Sequence, residues 1–83
     1  MEVKYAIRDM PDESYISILS CRDKVVYEGL RKNLPKVFFS FDFISLLPLD
    51  GTQSTPHVLK IDVSPFMEHT LRTTYVDPAI SLI

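Results

Sequence analysis

The sequence is poor in the residue types from which catalytic and metal sites are built. It has one cysteine, Cys21, two glycines and two histidines among 83 residues. One cysteine excludes an intrachain disulfide and a cysteine metal cage, and two separated glycines exclude a glycine-rich nucleotide loop. His57 and His69 lie in different segments, whereas a metal site needs three or four converging ligands. We therefore expect no cofactor, no metal and no catalytic residue.

The sequence also lacks a basic excess and a long apolar run. Its formal net charge is −2 and its pI is near 5.5, whereas a nucleic-acid-binding protein usually carries a basic excess. No stretch approaches the roughly 20 apolar residues of a transmembrane helix, and the first residues lack the basic-then-apolar layout of a signal peptide. We expect a cytoplasmic protein without membrane contact.

The composition is that of a folded chain with more apolar surface than its size requires. Hydrophobic residues make up 46% of the sequence and the mean hydropathy is +0.07, which excludes intrinsic disorder. The length predicts a single domain over residues 1–83. A core this small leaves some apolar side chains for an interface.

The first half of the sequence predicts a hairpin followed by a helix. Residues 2–9 and 14–19 alternate between apolar and polar side chains, which indicates two antiparallel strands. Ser20 opens an approximate capping box. The apolar stripe that follows predicts an amphipathic helix over residues 20–34, which Pro35 would end.

The second half begins with the most informative stretch, residues 37–47, which holds four of the five phenylalanines. Apolar side chains on both of its faces indicate a central strand. We expect Phe39, Phe41 and Phe43 in the core. For Phe38, Ile44 and Leu46, cover by the helix and contact with a partner both remain open.

A further strand and an ambiguous segment complete the prediction. Residues 57–63 alternate again and are expected to pair antiparallel with residues 37–47. Residues 65–76 fit a short helix, because Ser64 and Pro65 resemble a helix start, or a strand rich in β-branched residues. The predicted fold class is α+β: a small antiparallel sheet of about four strands packed by one well-formed helix. The predicted order is ββαββ followed by a short helix or a fifth strand.

The leading functional hypothesis is a small non-catalytic protein-binding module. It would occupy a surface of a larger partner protein as an inhibitor or modulator, a virus- or plasmid-encoded type by size class only. The long polar loop between Pro48 and Pro56 is the expected contact region, because long loops often carry function. The residues predicted to bind the partner are Leu47, Leu49, Asp50, Gln53 and Thr55.

Two alternatives use other parts of the chain. In the first, the protein is a structural subunit that forms a homodimer or larger assembly through a strand edge or its apolar tail, with Ile80, Leu82 and Ile83 as contacts. In the second, a basic helix face binds nucleic acid weakly. Its residues would be Arg22, Lys24, Arg31, Lys32 and Lys36.

Overall fold

The computed structural model of the chain describes residues 1–76 and contains a four-stranded sheet with helices. Its elements run in the order α1 Val3–Ala6, β1 Tyr15–Ser20, β2 Val25–Leu30, β3 Phe43–Leu47, β4 His57–Ile61 and α2 Pro65–Tyr75. Two 3-10 turns, Arg31–Asn33 and Lys36–Ser40, lie between β2 and β3. The predicted class, an α+β protein with about four strands and a well-formed helix, is confirmed.

The sheet has the strand order β2-β1-β4-β3 and is mixed. Its two central strands, β1 and β4, pair in parallel, with Ile16 opposite His57 and Ser20 opposite Ile61. The outer pairs, β1 with β2 and β3 with β4, are antiparallel. The expectation of a wholly antiparallel sheet is therefore corrected at its centre, whereas the antiparallel pairing of the two later strands is confirmed.

The strand predicted over residues 2–9 is wrong. Val3–Ala6 is a single helical turn, and the hairpin partner of β1 is β2 instead. Val3 and Ile7 are buried while Tyr5 is exposed. Apolar residues at i, i+2 and i+4 fit a strand, but the first and last of them also share one face of a helix. The alternation alone therefore could not decide between the two.

The helix predicted over residues 20–34 is also wrong, because these residues form a tight turn, β2 and the first 3-10 turn. Ser20 does cap backbone amides, as predicted, but these amides belong to a turn and not to a helix. Its hydroxyl accepts hydrogen bonds from the amides of Arg22 at 3.1 Å and Lys24 at 3.2 Å. Asp23 has a positive φ of 63°, a left-handed conformation that aspartate tolerates better than most residues. The β-branched residues that open β2 favour a strand.

The phenylalanine-rich segment, residues 37–47, is a strand only in its second half. The 3-10 turn before it places Phe38 at the centre of the core, with its ring centroid 5.8 Å from that of Tyr27. Because the turn breaks the period of two, the predicted core assignment needs correction. Phe39, Phe41, Phe43 and Leu46 are only partly buried against the core, and Ile44 is exposed.

The helical alternative for the last described segment is confirmed, and the helix extends to Tyr75. Ser64 is its N-cap, because the Ser64 hydroxyl accepts a hydrogen bond at 3.1 Å from an amide of the first turn. Leu71 is buried, and the Tyr75 ring lies 5.4 Å from the ring of Phe38. The helix therefore packs on the same side of the sheet as the phenylalanine-bearing turn.

The hydrophobic core lies on one face of the sheet. Alternate residues of the central strands, Ile16 and Ile18 in β1 and Leu59 and Ile61 in β4, form its base and are fully buried. Both helices and the second 3-10 turn cover them. The buried cluster consists of Val3, Ile7, Ile16, Ile18, Val26, Tyr27, Leu34, Phe38, Leu59, Ile61, Val63 and Leu71.

Gly29 in β2 is required by its neighbour on the core face. A Cβ atom at this position would lie 2.8 Å from the hydroxyl oxygen of Tyr27. That hydroxyl is held in place because it donates a hydrogen bond to the Leu30 carbonyl at 2.8 Å. Gly29 therefore lets the Tyr27 side chain lie flat along the strand, which explains a glycine within a regular element.

We expect Gly29→Ala to lower the free energy of unfolding by about 1–3 kcal/mol, as overpacking does. The same substitution in a Tyr27→Phe background should cost less, because the nearest atom is then absent. Urea unfolding of the four proteins in this double-mutant cycle measures the coupling. Equal costs in both backgrounds would show that the tyrosine hydroxyl is not what excludes the methyl group.

Candidate interaction surface

The sheet has a second face that the core does not use. Residues paired across the strands point to the same side, and the register places Glu28, Ser17, Val58 and Leu47 in one row. The next row holds Val25, Leu19, Lys60 and Ser45. We define the open face as these two rows with Tyr15 and Leu30, which pair with each other at the end of β1 and β2.

The apolar residues of the open face are separate from the core. None of them belongs to the buried cluster or packs against it. Tyr15, Leu19, Val25, Leu30 and Val58 are half-buried, which is the burial expected where neighbours on a strand shield one another without a covering layer. In the described part of the chain both helices lie on the core side, so the open face carries apolar surface without a partner element.

The exposed end of this surface is on β3. Leu47 is 54% exposed and Ile44 is 53% exposed. Ile44 lies at a register irregularity between β3 and β4, which is consistent with its projection away from the sheet. Two large aliphatic side chains on one edge strand extend the apolar surface of the open face to the rim of the sheet.

The residues predicted to bind a partner all lie at the surface beside this rim. Leu49 is 43% exposed, and its amide donates a hydrogen bond to the Leu47 carbonyl at 3.0 Å. Asp50, Gln53 and Thr55 are exposed as well. The structure therefore brings the two leucines together at the end of β3, with the three polar residues in the adjoining loop.

The loop is ordered by its own hydrogen bonds. The Gly51 amide donates to the Thr55 carbonyl at 2.9 Å, and the Thr52 and Thr55 hydroxyls are 2.8 Å apart. The Thr55 hydroxyl also donates to Asp50 at 3.3 Å, so two of the predicted polar contacts are already engaged with each other. Of the three predicted polar residues, Gln53 at the exposed tip takes no part in these bonds.

The loop is also fixed to the sheet. The Tyr15 amide donates to the Gly51 carbonyl at 2.7 Å. Gly51 has a φ of 77°, and a Cβ atom there would lie 2.5 Å from the His57 ring. A glycine is therefore needed both for the backbone conformation and for the close approach of the ring, and the loop forms a firm border to the open face.

Both outer edges of the sheet are partly closed. At the β3 edge the Val3 amide donates to the Phe41 carbonyl at 2.9 Å, and the Phe43 amide donates to the Met1 carbonyl at 3.0 Å. At the β2 edge the Arg72 guanidinium donates to the Val25 carbonyl at 2.7 Å. Within residues 1–76 these bonds engage the start of β3 and one carbonyl of β2, so each edge is closed only in part, and the open face is the broader surface for contact.

The basic residues proposed to bind nucleic acid do not share a helix face. Arg22 and Lys24 lie in the turn before β2, whereas Arg31 and Lys32 lie after it, so a six-residue strand separates the pairs. Lys36 begins the second 3-10 turn. Arg22 is bound to Glu68 and Lys32 to Glu13. The absence of the expected helix removes the geometry on which this alternative rested.

A polar cluster joins the β1–β2 turn to α2. The fully buried Ser20 hydroxyl donates to the Glu68 carboxylate, which also accepts from Arg22 Nε at 2.9 Å. Arg22 further donates to the Val63 carbonyl at 2.7 Å. These groups are hydrogen-bond partners for one another. The hydrogen bond from Ser20 is the main cause that lowers the pKa of Glu68, and Arg22 lowers it further. The pKa therefore lies below the ordinary glutamate value although the side chain is partly buried.

This cluster has the bonding of a structural tie. Neither His57 nor His69 is hydrogen-bonded to Ser20 or Cys21 within residues 1–76, and the carboxylate that accepts from Ser20 is itself paired with Arg22. No group of three or more histidine, cysteine, aspartate or glutamate residues could hold a metal ion in the described ranges. The expectations of no catalysis and no cofactor stay predictions.

The expectations of self-association and of no membrane contact concern other parts of the chain. The proposed self-association residues Ile80, Leu82 and Ile83 lie outside the described residues. Within residues 1–76 the structure has no helix long and apolar enough to cross a membrane.

Sequence reasoning missed most of the open face. The alternation of residues 14–19 puts Tyr15 and Leu19 on the opposite face from Ile16 and Ile18, but the sheet order that sets Val58 next to this face, opposite Ser17, is not predictable. The available signal was the apolar content of that second face in β1. Comparison with protein-family models, curated proteins and solved structures finds no match for the chain, so its function must be inferred from this geometry.

The hydrogen bonds of Glu68 with Ser20 and Arg22 predict that the protein loses stability in acid. Because the folded-state pKa is lowered, its stabilisation is present above the ordinary glutamate pKa of about 4.3 and is lost as the pH falls through the lowered value. We expect the free energy of unfolding to fall more between pH 5 and pH 3, roughly the range of these protonations, in the wild type than in Glu68→Gln.

Glu13→Gln, which removes an exposed ion pair, is the control and should follow the wild type. Urea unfolding across this range measures the difference, and parallel curves for wild type and Glu68→Gln would contradict it.

Proposed function

We propose that this chain is a small non-catalytic protein-binding module that acts by covering part of a larger partner protein. The observation that carries the proposal is the open face, an apolar sheet surface with Leu47 and Ile44 exposed at its rim and no covering element within residues 1–76. Apolar surface of this kind in a small protein marks an interaction site.

The surface has the mixed composition of a protein interface. On its central strands the apolar Leu19 and Val58 lie beside Ser17 and Lys60, and Glu28 and the polar loop lie at its border. Protein interfaces likewise combine apolar contacts with polar groups at the rim. The bound partner would lose access to whatever surface it places here, which is how an inhibitor or modulator works. A cytoplasmic location fits this role and stays a prediction.

We expect contacts with the partner to form at Leu47 and not at Phe66. Phe66 is 80% exposed but lies on α2, on the core side of the sheet. A photo-reactive amino acid placed at position 47 of the full chain should crosslink to one larger protein in extracts of the source cell. The same group at position 66 is the matched control and should give no such product.

A charge at the rim should abolish this contact without unfolding the protein. Leu47→Asp changes an exposed side chain, so we expect its free energy of unfolding to stay within about 0.5 kcal/mol of the wild type. Phe66→Asp is again the control. If Leu47→Asp captures the partner as well as the wild type does, or if position 66 crosslinks equally, the proposed surface is wrong. Leu49→Ala and Asp50→Ala test the adjoining loop in the same assay.

A further inference from the structure

We infer that the segment after α2, residues 77–83, folds back across the open face of its own chain and covers the apolar side chains there. The contact itself goes beyond the proposed function. Its consequence, that this segment and a partner protein compete for one surface, rests on the proposed function.

The place where α2 ends brings the segment to the edge of the open face. Tyr75 and the C-cap residue Val76 line a surface cleft together with Val25 and Glu28 of β2. Val25 and Glu28 are the β2 residues in the two rows of the open face. The chain therefore enters residues 77–83 beside the first strand of that face.

Two contacts fix this exit point. The Arg72 guanidinium, in the last turn of α2, donates a hydrogen bond to the Val25 carbonyl at 2.7 Å. The Tyr75 ring packs in the core, with its centroid 5.4 Å from that of Phe38. Pro78 follows shortly after the helix cap, and a proline at such a position cannot continue a helix. We therefore expect the chain to leave the helix axis here, where the cleft leaves room for it.

The segment is long enough to cross the face. Neighbouring strands lie about 4.8 Å apart, so the distance from β2 across the two central strands to β3 is about 14 Å. Residues 77–83 span up to about 23 Å when they are extended. On this path Ile80 meets the central strands β1 and β4, and Leu82 comes close to the rim at β3.

The side chains of the segment match the surface that they would cover. Its one charged residue, Asp77, comes first, and most of the rest are apolar: Ala79, Ile80, Leu82 and Ile83. Each of the four strands contributes an apolar side chain to the open face, in the order Val25, Leu19, Val58 and Leu47. Contact between the two sets removes apolar surface from water on both sides.

The small area of the open face favours an occupant from the same chain. Four strands about five residues long present an area on the order of 300 Å², whereas a stable interface between separate proteins buries about 800 Å² on each. A segment joined to the sheet through α2 is held beside it at an effective concentration of about millimolar or above, so a smaller area is enough. A partner protein must add contacts beyond the face, for which Leu49 and the adjoining loop are available.

Disulfide trapping in the full chain tests the contact. In a Cys21→Ser background, Leu82→Cys is combined with Val58→Cys or Leu47→Cys on the open face, or with Phe66→Cys as the control. Phe66 is 80% exposed and lies about 15 Å from the cap of α2, so the segment could reach it but would have to turn the other way. A disulfide needs Cα atoms within about 7 Å of each other.

We expect oxidation at low protein concentration to link position 82 to position 58 or 47 within one chain at least roughly tenfold faster than to position 66. Mass spectrometry of the products identifies the linked positions. No link to the open face, an equally fast link to position 66, or links only between two chains would overturn the inference. The last result would show that a second copy supplies the covering segment.

Substitutions in the segment should uncover the open face. Ile80→Ser combined with Leu82→Ser removes the apolar contact, so we expect the amides of Leu19 and Val58 to shift in NMR spectra of the full ¹⁵N-labelled chain. Binding of a dye that reports exposed apolar surface should rise roughly threefold. Asp77→Ser introduces the same residue type outside the face and should change neither. Unshifted open-face amides, or equal dye binding in the two variants, would contradict the inference.

Partner capture distinguishes failure here from failure of the proposed function. Ile80→Ser with Leu82→Ser should raise the crosslink yield from position 47 to the partner at least roughly threefold, because more of the chain is then competent to bind. If trapping fails while position 47 still crosslinks to a partner, this inference is wrong and the proposed function stands. If trapping succeeds but neither the wild type nor this variant captures a protein, the covering segment is confirmed and the proposed function is wrong.

Discussion

The parallel pairing of β1 with β4 is the constraint on which the rest of the structure depends. It joins two segments far apart in the sequence and places their fully buried isoleucines and Leu59 on one side. Every other element then has a fixed place: β2 and β3 become the edges, and the helices close the side that carries these residues. The alternate residues of the same strands point to the other side of the sheet and form the open face. The pairing of β1 with β4 therefore determines both the core and the open face.

The outcome for individual segments shows what the sequence could predict. The β1 and β4 strands, the pairing of β3 with β4 and the capped C-terminal helix follow from local alternation and cap chemistry. Residues 20–34 were misassigned because Ser20 caps a turn and a helix by the same hydrogen-bonding chemistry. Gly29 was the contrary signal, since a glycine is costly inside a helix and is explained by the tyrosine that lies over it.

The candidate surface was predictable only in part. Exposure of Leu47 and Leu49 follows from their place beside a polar, proline-bounded loop. The contribution of Tyr15, Leu19 and Val58 depends on sheet order, which is a long-range property that no local pattern encodes. The phenylalanines illustrate the same limit, because a 3-10 turn buried Phe38 and left its neighbours only partly covered.

The short contact between residues 1–3 and the start of β3 has a consequence for the behaviour of the protein at high concentration. Phe43–Leu47 contains no charged residue and no proline, and uncharged β-prone segments of this kind stack into fibrils when their backbone is accessible. The hydrogen bond from the Phe43 amide to the Met1 carbonyl covers the start of that backbone. Whenever the N-terminus frays, the same strand that helps to present the open face becomes a template for aggregation.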